Sequence, residues 1–507
     1  MTDTVSRQTM DNETLPDTWV TTTLGEICAR VEKVNPKDEP EQIFTYLDIA
    51  AIDNSTQKIV KPKIYSGADA PSRARQLVQA GDVLFSTVRT YLKNIAQVPR
   101  EYGNQIASTG FTVIRSTPEV ADKYLFHLVQ TDEFLEPLNA KQRGTSYPAV
   151  RDSDVFTQPV ALPPLNEQRR IVEKIEELFT KLDAGVRSLK QTQVLLKSYR
   201  RSVLKAAVEG ELSRKWREAH RDGLEPASEL LERILRERRE KFVGKKYKEP
   251  ASPDTSNLPA LPDGWEWANL SQFLKEPLRN GHSAKADKDG KVRTLTLTAV
   301  TVGDFSEANT KLTGADPNHV SDLWLEPGDI FIERSNTPEL VGTAQLYTGE
   351  RHFAIFPDLL IRARILDGVP ASYVELALQS THARSYFKKS ARGISGSMPK
   401  ISQSTIEAAP IPLPPTQEMK FIVEEVERRL SVVDKLEATV EANLKQAGGL
   451  RRSILKRAFS GGLVPQDPDD EPAGALLARI REERQAIERK PRKRRARRDD
   501  EAQGRLI

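Results

Sequence analysis

LPPLNEQRRIVEKIEELFTKLD, Leu162 to Asp183, returns 251 residues later as LPPTQEMKFIVEEVERRLSVVD, Leu413 to Asp434. Each string opens on a proline pair, Pro163-Pro164 and Pro414-Pro415. Prolines are tolerated just before a helix and not inside one. Beyond them the chain is charged, and one apolar residue recurs at every seventh position. The first series is Ile175, Leu182, Leu189, Leu196 and Val203; the second is Val426, Val433, Val440, Ala447 and Ile454. Ile171, Leu178 and Tyr199 add a partial second row, as do Ile422, Leu436 and Leu450. A seven-residue apolar repeat is the seam of a coiled coil. Glu167 and Glu418 fall in the first turn, where the helix dipole favours a carboxylate. Each helix is expected to run about 40 residues, roughly 60 Å at 1.5 Å per residue. One apolar seam needs a partner in water, and the nearest is its twin. Antiparallel pairing would put the preceding domains at opposite ends of a rod, with a pseudo-twofold axis.

Four more pairs of strings lie around these two, in the same order. LPDTW (Leu15–Trp19) returns as LPDGW (Leu261–Trp265), and AGDVLF (Ala80–Phe85) as PGDIFI (Pro327–Ile332). RRSVLKAAVEGEL (Arg200–Leu212) returns as RRSILKRAFSGGL (Arg451–Leu463), and EPASELLERI (Glu225–Ile234) as EPAGALLARI (Glu471–Ile480). The offsets stay between 246 and 251 residues. Five collinear matches mean a tandem duplication. The segment before each helix is mixed, with short β-like runs broken by Gly and Pro. The fold class is therefore α/β (α+β): two globular domains in tandem, each followed by a long helix. The boundaries read as domain 1 over 1–160, helical region 1 over 161–247 and a linker over 248–262. Domain 2 follows over 263–411, helical region 2 over 412–489 and a basic tail over 490–507. The tail string RKPRKRRARR has eight basic residues in ten. It cannot bury apolar area, so disorder is expected.

The 507 residues are 38% hydrophobic and 29% charged, with net charge +4. That balance fits local basic surfaces better than a uniformly cationic coat. Cys28 is the only cysteine, which excludes an intramolecular disulfide and a cysteine-based zinc site. No signal peptide and no apolar run of membrane-spanning length is present, so a cytoplasmic protein without membrane contact is expected. There is no GxxxxGK[ST] phosphate loop and no Asn/Asp-Pro-Pro-aromatic string of the amino-methyltransferase kind. The six histidines show no metal-ligand spacing. Trp19 and Trp265 read as core packing at each domain's start.

Two similar modules on a rigid rod suit a two-part target of fixed spacing, and duplex DNA offers half-sites about every 34 Å. The candidate DNA contacts lie in polar and basic stretches. In domain 1 these are Arg73 and Arg75 before the Gly-Asp string, and Arg89, Tyr91, Lys93 and Asn94 after it. The matching run in domain 2 holds Arg334 and Asn336. Arg grips guanine bidentately and Asn does the same for adenine. Before the helices, Arg143, Thr145, Ser146 and Tyr147 align with Arg392, Ser395, Ser397 and Lys400. Gly there permits close backbone approach, and hydroxyls and cations supply phosphate donors. Asn280, His282 and Lys285 form a further basic loop in domain 2.

The LPxxW opening, the Gly-Asp-hydrophobic string, the LPPxxEQ-type helix start and the RRSxLxxAxxGxL helix end resemble type I restriction-modification specificity subunits. The second copy departs slightly, with Gln417-Glu418-Met419 where the first has Asn166-Glu167-Gln168. The resemblance implies two target-recognition domains, each reading half of a bipartite sequence in double-stranded DNA, with the paired helices as a ruler. It implies two methyltransferase subunits docked on the helical regions, joined by motor-nuclease subunits. S-adenosylmethionine, ATP and Mg would be bound by those partners, and this chain would not itself be an enzyme. A self-sufficient DNA modification enzyme and a structural coiled-coil protein stand as alternatives.

Overall fold

The computed structural model describes residues 15–240, 247–393 and 398–489. The basic tail and the candidates Ser395 and Ser397 lie outside the described residues. Two compact units are present. The first joins Met1–Leu189 to Ala442–Ile507, and the second is the continuous stretch Lys190–Glu441. Both long helices run 44 residues, Leu165–Val208 and Thr416–Phe459. Each starts directly behind its proline pair and contributes to both units.

Within the first unit the helices run antiparallel. Glu167, at the start of the first helix, meets Gln466, just past the end of the second. Further along, Asp183 pairs with Arg451 at 2.5 Å. The second unit repeats this: Glu418 meets Ser213 at 2.6 Å, and Asp434 pairs with Arg200. In the first unit Ile171, Ile175 and Ile454 are buried; in the second, Leu196, Val203, Ile422, Val426, Val433 and Val440 are. The expected second row is corrected at three places. Tyr199, Leu436 and Leu450 are exposed, and Val172 and Phe179 fill the first unit's interior instead. The reason is that a straight helix drifts about 20° per heptad from a 3.5-residue repeat, so a nominal row leaves the contact line.

The globular part of each unit is built on one four-stranded antiparallel sheet. In the first unit the order is Cys28–Ala29, Phe111–Ser116, Val83–Ser86, Ile95–Gln97. In the second it is Arg279–Asn280, Leu360–Ala363, Ile330–Glu333, Ala344–Leu346. The Gly-Asp string feeds the buried central strand in both. A two-stranded pair, Val20–Thr23 with Pro159–Leu162 or Glu266–Asn269 with Pro410–Leu413, sets the domain's first strand against the one leading into the helix. The second sheets differ. The first unit has four strands, Lys63–Ser66, Ile43–Leu47, Ile106–Ser108 and Ala74–Leu77, whereas the second has only Val292–Leu295 with Thr310–Thr313.

Four of the repeated strings serve one junction. Trp19 donates its indole N–H to Glu167 (3.0 Å), and Trp265 does the same to Glu418 (2.9 Å). Gly461 (φ +84°) lies against Pro16, and Gly210 (φ +72°) against Pro262, so the helix-end glycine stands on the LPxxW string. A Cβ there would sit 2.5 Å from the proline ring in both units, and the positive φ favours glycine as well. The short helix that follows begins with the Ala473 N–H on the Thr18 carbonyl, or the Ala227 N–H on the Gly264 carbonyl, both 3.0 Å. Arg484 then donates to the Gly25 carbonyl, and Arg238 to that of Ser271. Both tryptophans are buried as expected. The first-turn glutamates are buried too, and burial pushes the Glu167 carboxyl up against the hydrogen bonds that hold it down.

Candidate nucleic-acid interface

The Gly-Asp string sets the loop that follows it. Asp82 accepts from Arg115 Nε (2.9 Å) and Nη2 (2.7 Å) and from the Gln79 N–H (2.8 Å). Asp329 repeats this with Arg364 Nε (2.7 Å) and the Glu326 N–H (3.0 Å). Carboxylate and guanidinium form a fork that locks two neighbouring strands. The strand therefore leaves the sheet at a fixed place, and the loop starts at Ser86 or Glu333.

In the first unit this loop and the pre-helix turn form one surface. The Val150 N–H donates to the Thr87 carbonyl (2.9 Å), and the Arg89 N–H to the Pro148 carbonyl (2.8 Å). Arg143 and Ala149 exchange backbone bonds of 2.9 and 3.0 Å, closing a turn with Gly144 at φ +97°. Arg89 adopts φ +49°, donates to the Ser146 carbonyl (3.0 Å) and lies over the Tyr147 ring. A non-glycine residue in that region is strained and is held by its surroundings. Beneath the loop, Thr90, Asn139 and Gln142 form a hydrogen-bonded cluster. Thr145, Ser146 and Tyr147 are exposed at the tip of the turn. Lys93 is tied to Asp132 (2.9 Å), while Tyr91 stands exposed and Asn94 half-buried. Arg73 joins from the turn leading into the second sheet: its carbonyl accepts the Thr109 N–H, and the next carbonyl, Gly110, accepts from Thr87. Arg75 is half-buried, with Nη1 on the Ala74 carbonyl.

The second unit repeats the frame with different side chains. The Ile401 N–H donates to the Arg334 carbonyl (2.9 Å), and Arg392 and Lys400 exchange bonds of 3.0 and 2.9 Å. Arg334 takes the place of Thr87, and Asn336 that of Arg89. Asn336 donates to the buried Glu333 (2.6 Å), and its Oδ1 accepts the Thr337 N–H (2.8 Å). Glu333 also accepts from Thr301. Burial raises its pKa, and the two hydrogen bonds oppose that. A carboxylate only accepts, so it fixes which way the Asn336 amide faces. Asn280 lies on the edge strand, takes a hydrogen bond from Gln403 (3.2 Å) and precedes the exposed His282 and Lys285. The Gly281 N–H bonds to the Leu360 carbonyl and the Arg334 N–H to that of Leu359, which sets this loop one strand from Arg334.

Sequence reasoning missed the Asp–Arg fork, the Glu333 anchor and the Thr90–Asn139–Gln142 cluster. The fork had a signal: Arg115 and Arg364 stand 249 residues apart, inside the repeat's own offset, each closing a β-like run. Among the described residues, no group of three or more His, Cys, Asp and Glu could hold a metal ion. None of their helices is long and apolar enough to cross a membrane.

Known proteins are similar to this chain. A family profile described as type I restriction modification DNA specificity domain matches residues 16–191. The EcoKI specificity subunit of Escherichia coli K12 is 26% identical over 385 residues, covering 74% of each chain. The EcoEI specificity subunit of E. coli is 23% identical over 479 residues, covering 84% of this chain and 80% of its own. Among solved structures, a chain from a type I restriction-modification assembly is 28% identical with a TM-score of 0.64, covering 89% of this chain and 99% of its own. The HsdS subunit of Thermoanaerobacter tengcongensis is also 28% identical, with a TM-score of 0.51 and coverage of 88% and 98%. Neither a self-sufficient modification enzyme nor a purely structural coiled coil is favoured by these relatives. Doubled motifs, repeated frame and relatives agree: along most of its length the chain is similar to type I restriction-modification specificity subunits.

Proposed function

We propose that this chain supplies DNA sequence specificity to a type I restriction-modification complex, each globular domain reading one half of a bipartite target. The observation that carries this is one backbone frame holding two different sets of side chains. Thr87 in the first unit gives way to Arg334 in the second on matching backbone bonds, and Arg89 to Asn336 two residues further on. Identical frames suit a common duplex geometry, and unlike side chains suit unlike half-sites. The named Arg, Lys, Asn, His, Thr, Ser and Tyr residues are the proposed contacts. Arg75 and Lys93 are the least free, because each is engaged within its own domain.

Methyl transfer, DNA translocation and cleavage belong in this reading to partner subunits, with S-adenosylmethionine, ATP and Mg bound there. Two methyltransferase subunits would dock on the helical regions. In the second unit Val194, Leu195 and Tyr199 on one helix and Val432 and Leu436 on the other offer exposed apolar surface for one of them.

Methylome sequencing of cells carrying this chain with its partner methyltransferase is expected to show one split motif, and a continuous motif would overturn the reading. Exchanging residues 15–160 for those of a relative is expected to change one half of that motif only. A change in both halves would break the assignment of one domain to each half.

A further inference from the structure

Tyr147 and Met398 are large apolar side chains left in solvent, 74% and 53% exposed. They stand 251 residues apart, the offset of the pre-helix strings, and each directly precedes a proline, Pro148 or Pro399. Each lies in the turn closed by the twin backbone bridge, Arg143 with Ala149 or Arg392 with Lys400. Both turns open on Arg-Gly and have a serine before the tip, while their length and other residues differ; the large exposed apolar tip is the shared feature that a plain polar turn does not need.

The first tip is held firmly, and both share one backbone restraint. A residue before proline is confined to extended backbone. In the first turn a Cβ on Gly144 would stand 3.3 Å from the Tyr147 carbonyl, and φ there is +97°, so glycine is needed. The Arg89 guanidinium lies 5.2 Å from the Tyr147 ring centre. Beside the tips, Arg143 and Arg151 are exposed in one unit and Arg392 and Lys400 in the other. An apolar tip among cations matches one kind of target: charged on its outside, with flat apolar faces between.

We propose that Tyr147 and Met398 are wedges, each entering a base step of its own half-site and unstacking it. Apolar side chains inserted between base steps are an established way to kink or open a duplex. An aromatic ring stacks on any base, since every base has a π-face. A wedge needs bulk and exposure and no particular hydrogen bond, so Tyr and Met serve alike although one is aromatic and the other is not. A tip that only completed the domain would be buried, and one that only gripped phosphate would be polar. This inference rests on the DNA-specificity reading and adds to it a mechanical action on the duplex.

The test uses the full chain assembled with its methyltransferase partner and a duplex carrying its methylome-determined target. 2-Aminopurine is placed in turn at adenine positions of each half-site. Wild-type complex is expected to raise fluorescence at a step within each half. Tyr147→Ala should abolish the rise in one half only and weaken binding about tenfold, while Tyr147→Phe retains both. Met398→Ala should do the same in the other half, with Met398→Leu retaining both. A duplex already opened at that step by an abasic site should bind wild type and Tyr147→Ala equally. If Tyr147→Ala weakens intact and opened duplexes alike, or loosens methyltransferase assembly without changing fluorescence, the wedge is overturned and the specificity reading stands. If wild-type complex retards no duplex, the specificity reading itself falls and the wedge with it.

Discussion

The two units meet the same structural demand with different partners. Each buries a glutamate at its helix start and gives it an indole, Trp19 for Glu167 and Trp265 for Glu418. The remaining acceptor capacity is filled differently. Glu167 takes the neutral amide of Gln466 (2.6 Å), whereas Glu418 takes the Ser213 hydroxyl and the Arg217 guanidinium, both 2.6 Å. A buried carboxylate must be hydrogen-bonded, but the donor can be an amide, a hydroxyl or a cation. The candidate loops differ by another rule. Their backbone bonds are repeated while their outward side chains are exchanged. The junction conserves an interaction and varies its chemistry; the loop conserves a position and varies its message.

The sharpest way to break this comparison is to remove the Gly-Asp carboxylate from each unit. Asp82→Ala strands Arg115, and losing one partner of a buried pair costs about 3–5 kcal/mol. Asp329→Ala should cost less, because Arg364 keeps Glu276 at 3.5 Å and Glu326 at 3.7 Å. Denaturant unfolding read by hydrogen exchange in each unit separates the two, and equal losses would refute the distinction.

Acid should also divide the units. His127 is buried with neither ring nitrogen hydrogen-bonded, and its pKa is lowered to about 4, chiefly by burial and then by Lys123 and Arg451. The unfolded chain therefore binds this proton first as pH falls, so stability is lost between about pH 6.5 and 4. The full loss would be roughly 3 kcal/mol. The second unit carries Leu376 at the matching place, since Tyr124 and Tyr373 make the same bond three residues earlier. His127→Leu should flatten the acid limb of the first unit's unfolding profile; an unchanged limb would assign the loss elsewhere.

A smaller effect is expected in the helices. Gly448 and Gly449 face open space, and the first helix has Lys197 and Ser198 in their place. Gly448→Ala and Gly449→Ala should each stabilise by about 1 kcal/mol, visible as a higher unfolding midpoint. Smallest of all are the exposed pairs Arg233–Glu225 and Arg479–Glu471. Arg233→Ala and Arg479→Ala should each leave the unfolding midpoint almost unchanged, and a clear shift would reveal a role beyond the pair.

The helices, the domain order and the doubled strings were legible in the sequence because they rest on periodicity and repetition, both local signals. Both candidate loops were legible as polar stretches, but not that they meet. What stayed hidden depends on three-dimensional pairing. Glu167 reads as a dipole-favoured residue until Trp19, 148 residues earlier, donates to it. Asn336 reads as a free amide until Glu333 is found buried beneath it. Tyr199, Leu436 and Leu450 fit the heptad on paper, but periodicity alone does not say where the contact line drifts.

The first unit closes only with the last described stretch of the chain: Gln466 on Glu167, Ala473 on Thr18, Arg484 on Gly25. Synthesis runs from the other end. The domain made first must therefore wait, with its Trp19–Glu167 junction open, while the second unit is made and completed. A product halted anywhere between residues 441 and 466 would own a finished second reader and an unfinished first. The order of manufacture thus makes the oldest part of the chain the last to be sealed, and its closure reports that the second unit has already been built.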